Sequence, residues 1–292
     1  MKWRKTQMAI ENRYDFVMLF DVENGNPNGD PDAGNTPRID AETGYGYITD
    51  VCLKRKIRNY VALSRGNEKG YQILIKPDKS LNEKFADAYR EEGLTANKGK
   101  EMDDVIRRAR DFMCRNYYDV RVFGAVMSTG DNPCGIVKGP VQISFARSLS
   151  PVSIQDVTIT RLARTTEKRR EEGKIEIGRK SILPYALYRA EGYVSAALAN
   201  KTTNLSEEDL ELLWEAIINL FEHDRSAARG KMCMRKLYVF KHSSIFGKCP
   251  SHILFDKIAV TLKQDLPPRS FRDYDIKLDP GMPDGVELIE KL

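Results

Sequence analysis

The amino-acid sequence predicts an α+β fold, because short apolar runs alternate with segments that repeat apolar residues at helical spacing. Without the more polar segments between them, these elements follow the order strand, helix, strand, strand, helix, strand, which is the ferredoxin-like order. In chain order, the six segments are residues 14–21, 49–63, 139–148, 185–199, 206–223 and 231–243.

The first predicted helix, residues 49–63, has Asp50 as its predicted N-cap. At about 100° per residue, one face of this helix carries apolar side chains. These are Leu53, Ile57, Tyr60 and Val61. An adjoining arc carries the basic side chains of Lys54, Arg55 and Arg58 and is predicted to face solvent.

The second main helix, residues 206–223, begins with a capping-box pattern at Ser206 and Asp209. Its outer face is acidic and is expected to be solvated. The C-terminus is rich in proline and is predicted to be irregular. Further predicted elements are a short helix near residues 81–91, a helix at 102–117, and strands at 120–127 and 256–263.

Residues 8–292 are predicted to form a single domain with two insertions. One insertion covers approximately residues 66–117, of which the first part is polar and rich in Lys and Glu. The other covers approximately residues 151–183, where β-branched stretches flank a charged tip that contains Gly, as in a protruding β-hairpin. Residues 1–7 are predicted to be a disordered tail, with Met8 as an alternative start.

Composition excludes several classes of protein. No apolar run approaches the roughly 18 residues of a membrane span, and no apolar segment follows the basic N-terminus as in a secretory signal. The five cysteines are odd in number and form no CxxC pair, so reduced thiols are expected rather than a disulfide framework or a zinc ribbon. The net charge of +5 is mild, so the placement of the charges matters more than their sum.

The segment from Asn24 to Asn35 is composed almost entirely of Asn, Gly, Asp and Pro, and it precedes the basic first helix. Backbone N–H groups in such a loop, beside a helix N-terminus, suit phosphate groups. Together with the ferredoxin-like order, this favours a polyanion as ligand, most simply a nucleic-acid backbone. Four aromatic residues are candidate platforms for bases but are predicted to be core residues instead: Phe123, Phe145, Tyr185 and Tyr188.

Four acidic residues near this loop are candidate ligands for a divalent ion: Asp21, Glu23, Asp30 and Asp32. When the loop is aligned with an EF-hand, however, Asn35 falls where a bidentate Glu is required, so no calcium site is predicted. The spacing of Cys249 and His252 fits no zinc motif. No nucleophile-elbow, HExxH or Walker pattern occurs. The sequence therefore predicts no metal, no cofactor and no catalytic residue.

Several stretches resemble the backbone subunit of type I-C CRISPR surveillance (Cascade) complexes, a member of the RAMP superfamily. They are RYDFVMLFDVENGNPNGDPDAGNTPRID, ITDVCLKRKIRNYV, VRVFGAVM, GPVQISFARSLSPV and TITRLARTTEKRREEGKIEIGRKSILPYALY. The resemblance spans roughly residues 8 to 285. It implies an RRM-like palm, a fingers insertion after the first strand (approximately 66–117) and a β-hairpin thumb (approximately 151–183).

The resemblance also implies a function and its partners. Several copies would polymerise along one guide CRISPR RNA and present it for pairing with target DNA, in the prokaryotic cytoplasm and without contact to a membrane. Other partners would be the handle-binding endonuclease subunit and the large and small subunits of the complex. The residues predicted to contact RNA are Asn24, Asn26, Asn28, Lys54, Arg55, Arg58, Lys138, Arg161 and Arg164.

Two alternatives to this non-catalytic role stay open at the level of sequence. Backbone subunits of type III complexes share the implied fold and cut target RNA with a loop Asp, for which Asp30 or Asp32 would be the candidate. The other alternative is a protein-only filament in which basic faces meet acidic faces of neighbouring copies.

Overall fold

The computed structural model describes residues 8–95, 100–161 and 176–292. The strands are β1 (Tyr14–Gly25), β2 (Gly29–Asp30), β3 (Thr36–Pro37), β4 (Tyr45–Ile48), β5 (Gly124–Met127), β6 (Gly135–Lys138), β7 (Val141–Ile143), β8 (Ala146–Pro151), β9 (Gln155–Arg161), β10 (Glu176–Val194), β11 (Lys231–His242), β12 (Ile258–Leu262), β13 (Tyr274–Leu278) and β14 (Val286–Glu290). The α-helices are α1 (Asp50–Arg65), α2 (Leu81–Glu92), α3 (Lys100–Asn116), α4 (Tyr118–Phe123), α5 (Ala196–Leu198), α6 (Glu207–Ile218) and α7 (Ser251–Phe255).

An antiparallel sheet with the strand order β14-β11-β1-β10-β8-β4 organises the chain, and β7 and β9 also pair with β10. The central strand β1 pairs along its length with β10 on one side and with β11 on the other. The four strands predicted for the ferredoxin-like order correspond, in chain order, to β1, β8, β10 and β11. Along the sheet they lie in the order β11, β1, β10, β8, which is fourth, first, third, second. The predicted α+β class is thus confirmed as a mixed fold with a large antiparallel sheet.

Helices α1 and α6 cover one face of this sheet. Alternate side chains of β1, among them Phe16, Met18 and Phe20, share a buried core with both helices. Trp214 of α6 meets Phe16 edge-on, with ring centroids 5.1 Å apart. Such pairing adds to the hydrophobic stabilisation that burial of both rings supplies.

The C-terminal part of the chain covers the middle of the opposite face. Val17 and Leu19 of β1 form a second core there with Phe255 of α7, Ile258 of β12 and Tyr274 of β13. Burial on both faces explains why β1 is continuously apolar instead of alternating. The prediction of an irregular C-terminus is wrong, because β13 pairs with β12 and β14 pairs with β11.

A third core holds together the segment between α1 and β7. Its buried members come from α2, α3, α4 and the β5–β6 hairpin, and include Phe85, Met113 and Val137. The buried Arg121 of α4 connects this unit to α6, since Nε and Nη2 each donate to the Asp209 carboxylate over 2.8 Å. The helices predicted near 81–91 and at 102–117 are confirmed as α2 and α3.

Three local predictions differ from the structure. The N-cap of α1 is Thr49, whose Oγ1 accepts from the Cys52 N–H, and Asp50 lies in the first turn. The strand predicted at 120–127 is a helical turn as far as residue 123 and a strand only after Gly124, which has φ 79°. The strand predicted at 139–148 is interrupted at Ser144, which exchanges hydrogen bonds with the Glu191 backbone.

Strands β9 and β10 pair antiparallel from Glu176↔Arg161 to Ile182↔Gln155, as expected for a hairpin. The charged tip of that hairpin, residues 162–175, lies outside the described residues. The same holds for the predicted tail, residues 1–7. Helix α6 ends at Ile218, five residues earlier than predicted, and has the predicted capping box between Ser206 and Asp209.

Candidate nucleic-acid interface

The Asn/Gly loop, residues 24–35, begins at the end of β1 and is held against residues 228–230. Asn24 adopts φ 51° and Asn35 φ 62°, a region that Asn tolerates better than most residues. A Cβ atom on Gly25 would lie 1.9 Å from the Arg229 carbonyl oxygen, so only Gly permits this approach. The Asn26 N–H donates to the Ala228 carbonyl over 2.8 Å. The loop therefore has a defined shape.

The three predicted Asn contacts have different surroundings. Asn24 is exposed. The side-chain amide of Asn26 donates to the Asn35 carbonyl over 2.7 Å and closes the loop. The Asn28 side-chain oxygen accepts from both the N–H and the Oγ1 of Thr49, over 3.0 and 3.1 Å. Asn28 thus joins the loop to the first turn of α1, and Asn24 is the most accessible of the three.

The basic arc of α1 is only slightly exposed, so the prediction that it faces solvent is wrong. Only 13% of the Lys54 side chain is exposed, and its Nζ lies 2.9 Å from an Asp50 carboxylate oxygen. Arg55 donates to the Ile75 carbonyl over 2.6 Å. Arg58 has an exposed fraction of 11% and forms an ion pair with Asp119 over 2.9 Å. Contact of these three residues with RNA stays a prediction.

Asp119 explains the position of Arg58, and sequence reasoning missed it. The carboxylate is 2% exposed and also accepts from the backbone N–H groups of Leu74 and Ile75, over 2.8 and 3.1 Å. Arg58 therefore fixes the start of the third core unit to α1. The only signal in the sequence was an Asp within an otherwise apolar segment, which is typical of a buried carboxylate that needs partners.

Lys56, which lies in the same basic run, faces inward. Its ammonium group contacts Asp224, with a side-chain exposed fraction of 1%. Burial lowers the pKa of Lys56 to about 8, and the nearby Arg229 acts in the same direction. The contacting Asp224 carboxylate opposes that shift, because an anion favours the charged ammonium. Lys56 thus anchors α1 to the segment beneath the Asn/Gly loop.

Other basic residues of β11 are likewise paired with acidic residues of β1. Arg235 lies 2.8 Å from the Asp21 carboxylate, and Lys231 lies 3.2 Å from that of Glu23. Tyr185 also donates to Asp21 over 3.0 Å, and Asp21 is 3% exposed. These basic residues of β11 therefore form cross-strand ion pairs with β1.

Two of the remaining predicted RNA contacts, Lys138 and Arg161, lie on the two hairpins. Lys138 is exposed at the end of β6 and is paired in register with Gly124. Arg161 is the last described residue of β9. Arg164 lies outside the described residues. The structure thus places Lys138 at the surface and leaves the two arginines as predictions.

The two candidate catalytic carboxylates lie at a short 3₁₀ turn, Pro31–Ala33. Asp30 accepts from the Asp32 N–H over 3.2 Å and pairs with Arg38 over 3.4 Å, whereas Asp32 is exposed. Within the described ranges, no group of three or more His, Cys, Asp or Glu side chains is placed to hold a metal ion. Among the helices of the described residues, none is long and apolar enough to span a membrane.

The described residues form a mixed α/β fold with two helices on one face of a large antiparallel sheet and a structured loop beside the first helix. Residues 12–279 match the family model described as "CRISPR-associated protein Cas7", so the chain belongs to the Cas7 family. The family recognised from the sequence is thereby confirmed, and the type I-C subtype stays a prediction.

Individual proteins and structures that this chain resembles carry related names. The CRISPR-associated protein Cas7 of Haloferax volcanii is 27% identical over 254 residues, which cover 80% of this chain and 71% of that protein. A chain of a "CRISPR RNA-guided surveillance complex, pre-nicking" has a TM-score of 0.48 at 14% identity, with 78% of each chain covered. A chain of the "Type III-B Cmr-beta bound to cognate target RNA" has a TM-score of 0.43 at 10% identity, with 78% of this chain and 61% of that chain covered.

Proposed function

We propose that this protein is a non-catalytic backbone subunit of a type I-C CRISPR surveillance complex that binds guide RNA. Several copies line one guide RNA in the prokaryotic cytoplasm and hold it for pairing with target DNA. The observation that carries the proposal is the match of residues 12–279 to the Cas7 family. The other partners in this proposal are the handle-binding endonuclease subunit and the large and small subunits of the complex.

In this proposal the main sheet with α1 and α6 is the palm. The insertion of approximately residues 66–117, which contains α2 and α3, serves as the fingers, and the β9–β10 hairpin as the thumb. The Asn/Gly loop supports the assignment of the RNA-facing side, because Asn28 joins it to the N-terminal turn of α1. The N-terminal turn of a helix carries partial positive charge and unpaired N–H groups, which favour phosphate.

Titration with RNA tests the binding function. Two labelled single-stranded RNAs of equal length and unrelated sequence are titrated with the full chain at several salt concentrations. We expect similar affinities for both, because phosphate contacts carry no base information, and affinities that fall steeply with salt. Longer RNAs should bind more copies, as judged by size-exclusion mass. A chain that binds neither RNA contradicts the proposal.

The alternative is target-RNA cleavage as in type III backbone subunits, and the exposure of Asp32 in a structured turn is the observation that favours it. The assembled complex is incubated with labelled complementary RNA and magnesium or manganese. We expect no specific cleavage. Cuts at a regular spacing that Asp32→Ala or Asp30→Ala abolishes would establish the alternative.

A further inference from the structure

An exposed aromatic ring, Phe145, and a half-buried one, Tyr47, lie together at the β4–β8 end of the main sheet. Phe145 precedes β8 and is 52% exposed, although its apolar character predicted a core position. Its ring is stacked on that of Tyr47 in β4, with centroids 6.3 Å apart and an angle of 5° between the planes. Arg147 is directly opposite Tyr47 in the register, and 63% of its side chain is exposed.

This cluster lies on the sheet face opposite to α1 and α6. Ile48 and Ala146 belong to the core beneath those helices. Their sequence neighbours Tyr47 and Arg147 therefore point the other way, because successive strand residues alternate between faces. In RNA-recognition domains this is the face whose aromatic side chains stack on bases. Here the C-terminal cover occupies the middle of the face and reaches Leu149 and Ser150 of β8, but it leaves Phe145 and Arg147 exposed.

The cluster lies near two elements that contact RNA in the proposed function, namely helix α1 and the β9–β10 hairpin. Strand β4 leads directly into α1, and its pairing partner β8 leads into the β9–β10 hairpin. Tyr47 and Phe145 thus lie between the start of α1 and the start of the hairpin. Arg147 has one ion pair there, to Asp40 over 3.1 Å. An exposed pair of this kind contributes little, so the guanidinium is able to turn to a phosphate at small cost.

From this geometry we propose that Tyr47 and Phe145 form a stacking platform for one nucleobase of single-stranded RNA, with Arg147 beside it for the adjacent phosphate. The proposal rests on the proposed RNA-binding function and deepens it by assigning a base contact. Stacking on an aromatic ring tolerates every base, because each base has a π face. The platform therefore adds affinity without making the protein selective for guide sequence.

The test uses the full chain and six adenosine hexamers, each with 2-aminopurine at a different position, because 2-aminopurine fluorescence is quenched by stacking. We expect quenching at one position in the natural chain and loss of that quenching in Phe145→Leu. Affinity should fall about 5- to 150-fold, the range that corresponds to one lost base–aromatic contact. The salt slope should be unchanged, because no charge is removed.

Phe246→Leu is the matched control. Phe246 is 77% exposed in the turn after β11, and in the sheet β1 separates β11 from β8. The Phe246→Leu variant should therefore bind RNA like the natural chain. Because Phe145 is largely exposed, its variant should keep the circular dichroism spectrum of the natural chain. Tyr47→Leu should reproduce the loss of quenching and affinity, since both rings form one surface.

The outcomes separate the inference from the function on which it rests. If the natural chain binds the hexamers but Phe145→Leu and Tyr47→Leu bind equally well with the same quenching profile, the platform is refuted and RNA binding stands. If the natural chain binds none of the hexamers, both are refuted. If Phe145→Leu changes only the oligomeric mass of the chain, the surface is a contact between copies and the inference is wrong.

Discussion

Replacing Asp209 with Ala should remove much of the protein's stability, because Asp209 is the anionic partner of the buried Arg121. The two side chains are 0% and 2% exposed, and two parallel hydrogen bonds of 2.8 Å join them. Arg121 also donates to the carbonyl groups of Cys114 and Gly70, so it ties α3, the segment after α1, and α6 together. The variant would leave this guanidinium buried without its carboxylate.

The expected loss is about 3–5 kcal/mol, the usual result of removing one partner of a buried ion pair. Asp209 is also the N3 residue of α6 and completes its capping box, because its carboxylate accepts from the Ser206 N–H over 3.1 Å. Loss of this hydrogen bond adds to the cost, whereas Ser206 remains the N-cap because its Oγ still accepts from the backbone N–H of residue 209. Since domains are typically stable by only about 5–15 kcal/mol, the variant should lie near the limit of folding.

Urea unfolding followed by circular dichroism measures the effect, with the m value compared to confirm that the same transition is observed. Glu208→Ala is the matched control on the same helix, because it breaks an ion pair to Arg65 in which both side chains are about one-third exposed or more. That change should cost about 0–1 kcal/mol. An Asp209→Ala variant with a loss as small as that of the control would refute this account of the buried pair.

Three further predictions concern binding, assembly and thiol reactivity. Lys54→Gln should reduce the salt slope of RNA binding by about 0.7, the value for one phosphate contact on a single strand, and an unchanged slope in salt titrations would remove Lys54 from the interface. Deletion of residues 155–179 should leave a folded chain that binds RNA weakly and forms no guide-length assemblies; filaments of the deletion variant in size-exclusion chromatography would show that the hairpin is dispensable. Burial raises the pKa of the Cys114 and Cys134 thiols to about 12. At pH 8 only about one in ten thousand of these groups is thiolate, so iodoacetamide should label the half-exposed Cys233 and Cys249 before Cys114 and Cys134, as mass spectrometry of the native protein would show.

The parts of the fold that could be predicted from sequence are those specified by local patterns. Helix α6 was predictable because its capping box and its apolar face are both contained within one segment. The N-cap of α1 was missed by one residue, since Thr49 and Asp50 are both good caps and only the structure shows which side chain accepts from Cys52. Strand β14 was missed because its five residues alternate weakly and depend on pairing with β11.

The candidate site was less predictable, because distant segments determine which side chains are accessible. A helical wheel placed Arg58 in solvent, but Asp119 comes from 61 residues further along the chain to pair with it. The same wheel gave no reason to expect that Lys56 would be buried against Asp224, 168 residues away. Phe145 shows the opposite error, since an apolar residue in a strand pattern lies at an exposed break between β7 and β8.

The C-terminal cover has a consequence for how a bound strand would be read. With α7, β12 and β13 seated on the middle of the sheet, a strand has no room to lie flat across it with several bases turned toward the protein. In the proposed function, the accessible path would be the margin along β4, the Asn/Gly loop and α1, where the protein would hold the sugar–phosphate side and at most an occasional base. The other Watson–Crick edges would then point into solvent, so the sequence would be read by a complementary strand, and one protein would serve guides of every sequence.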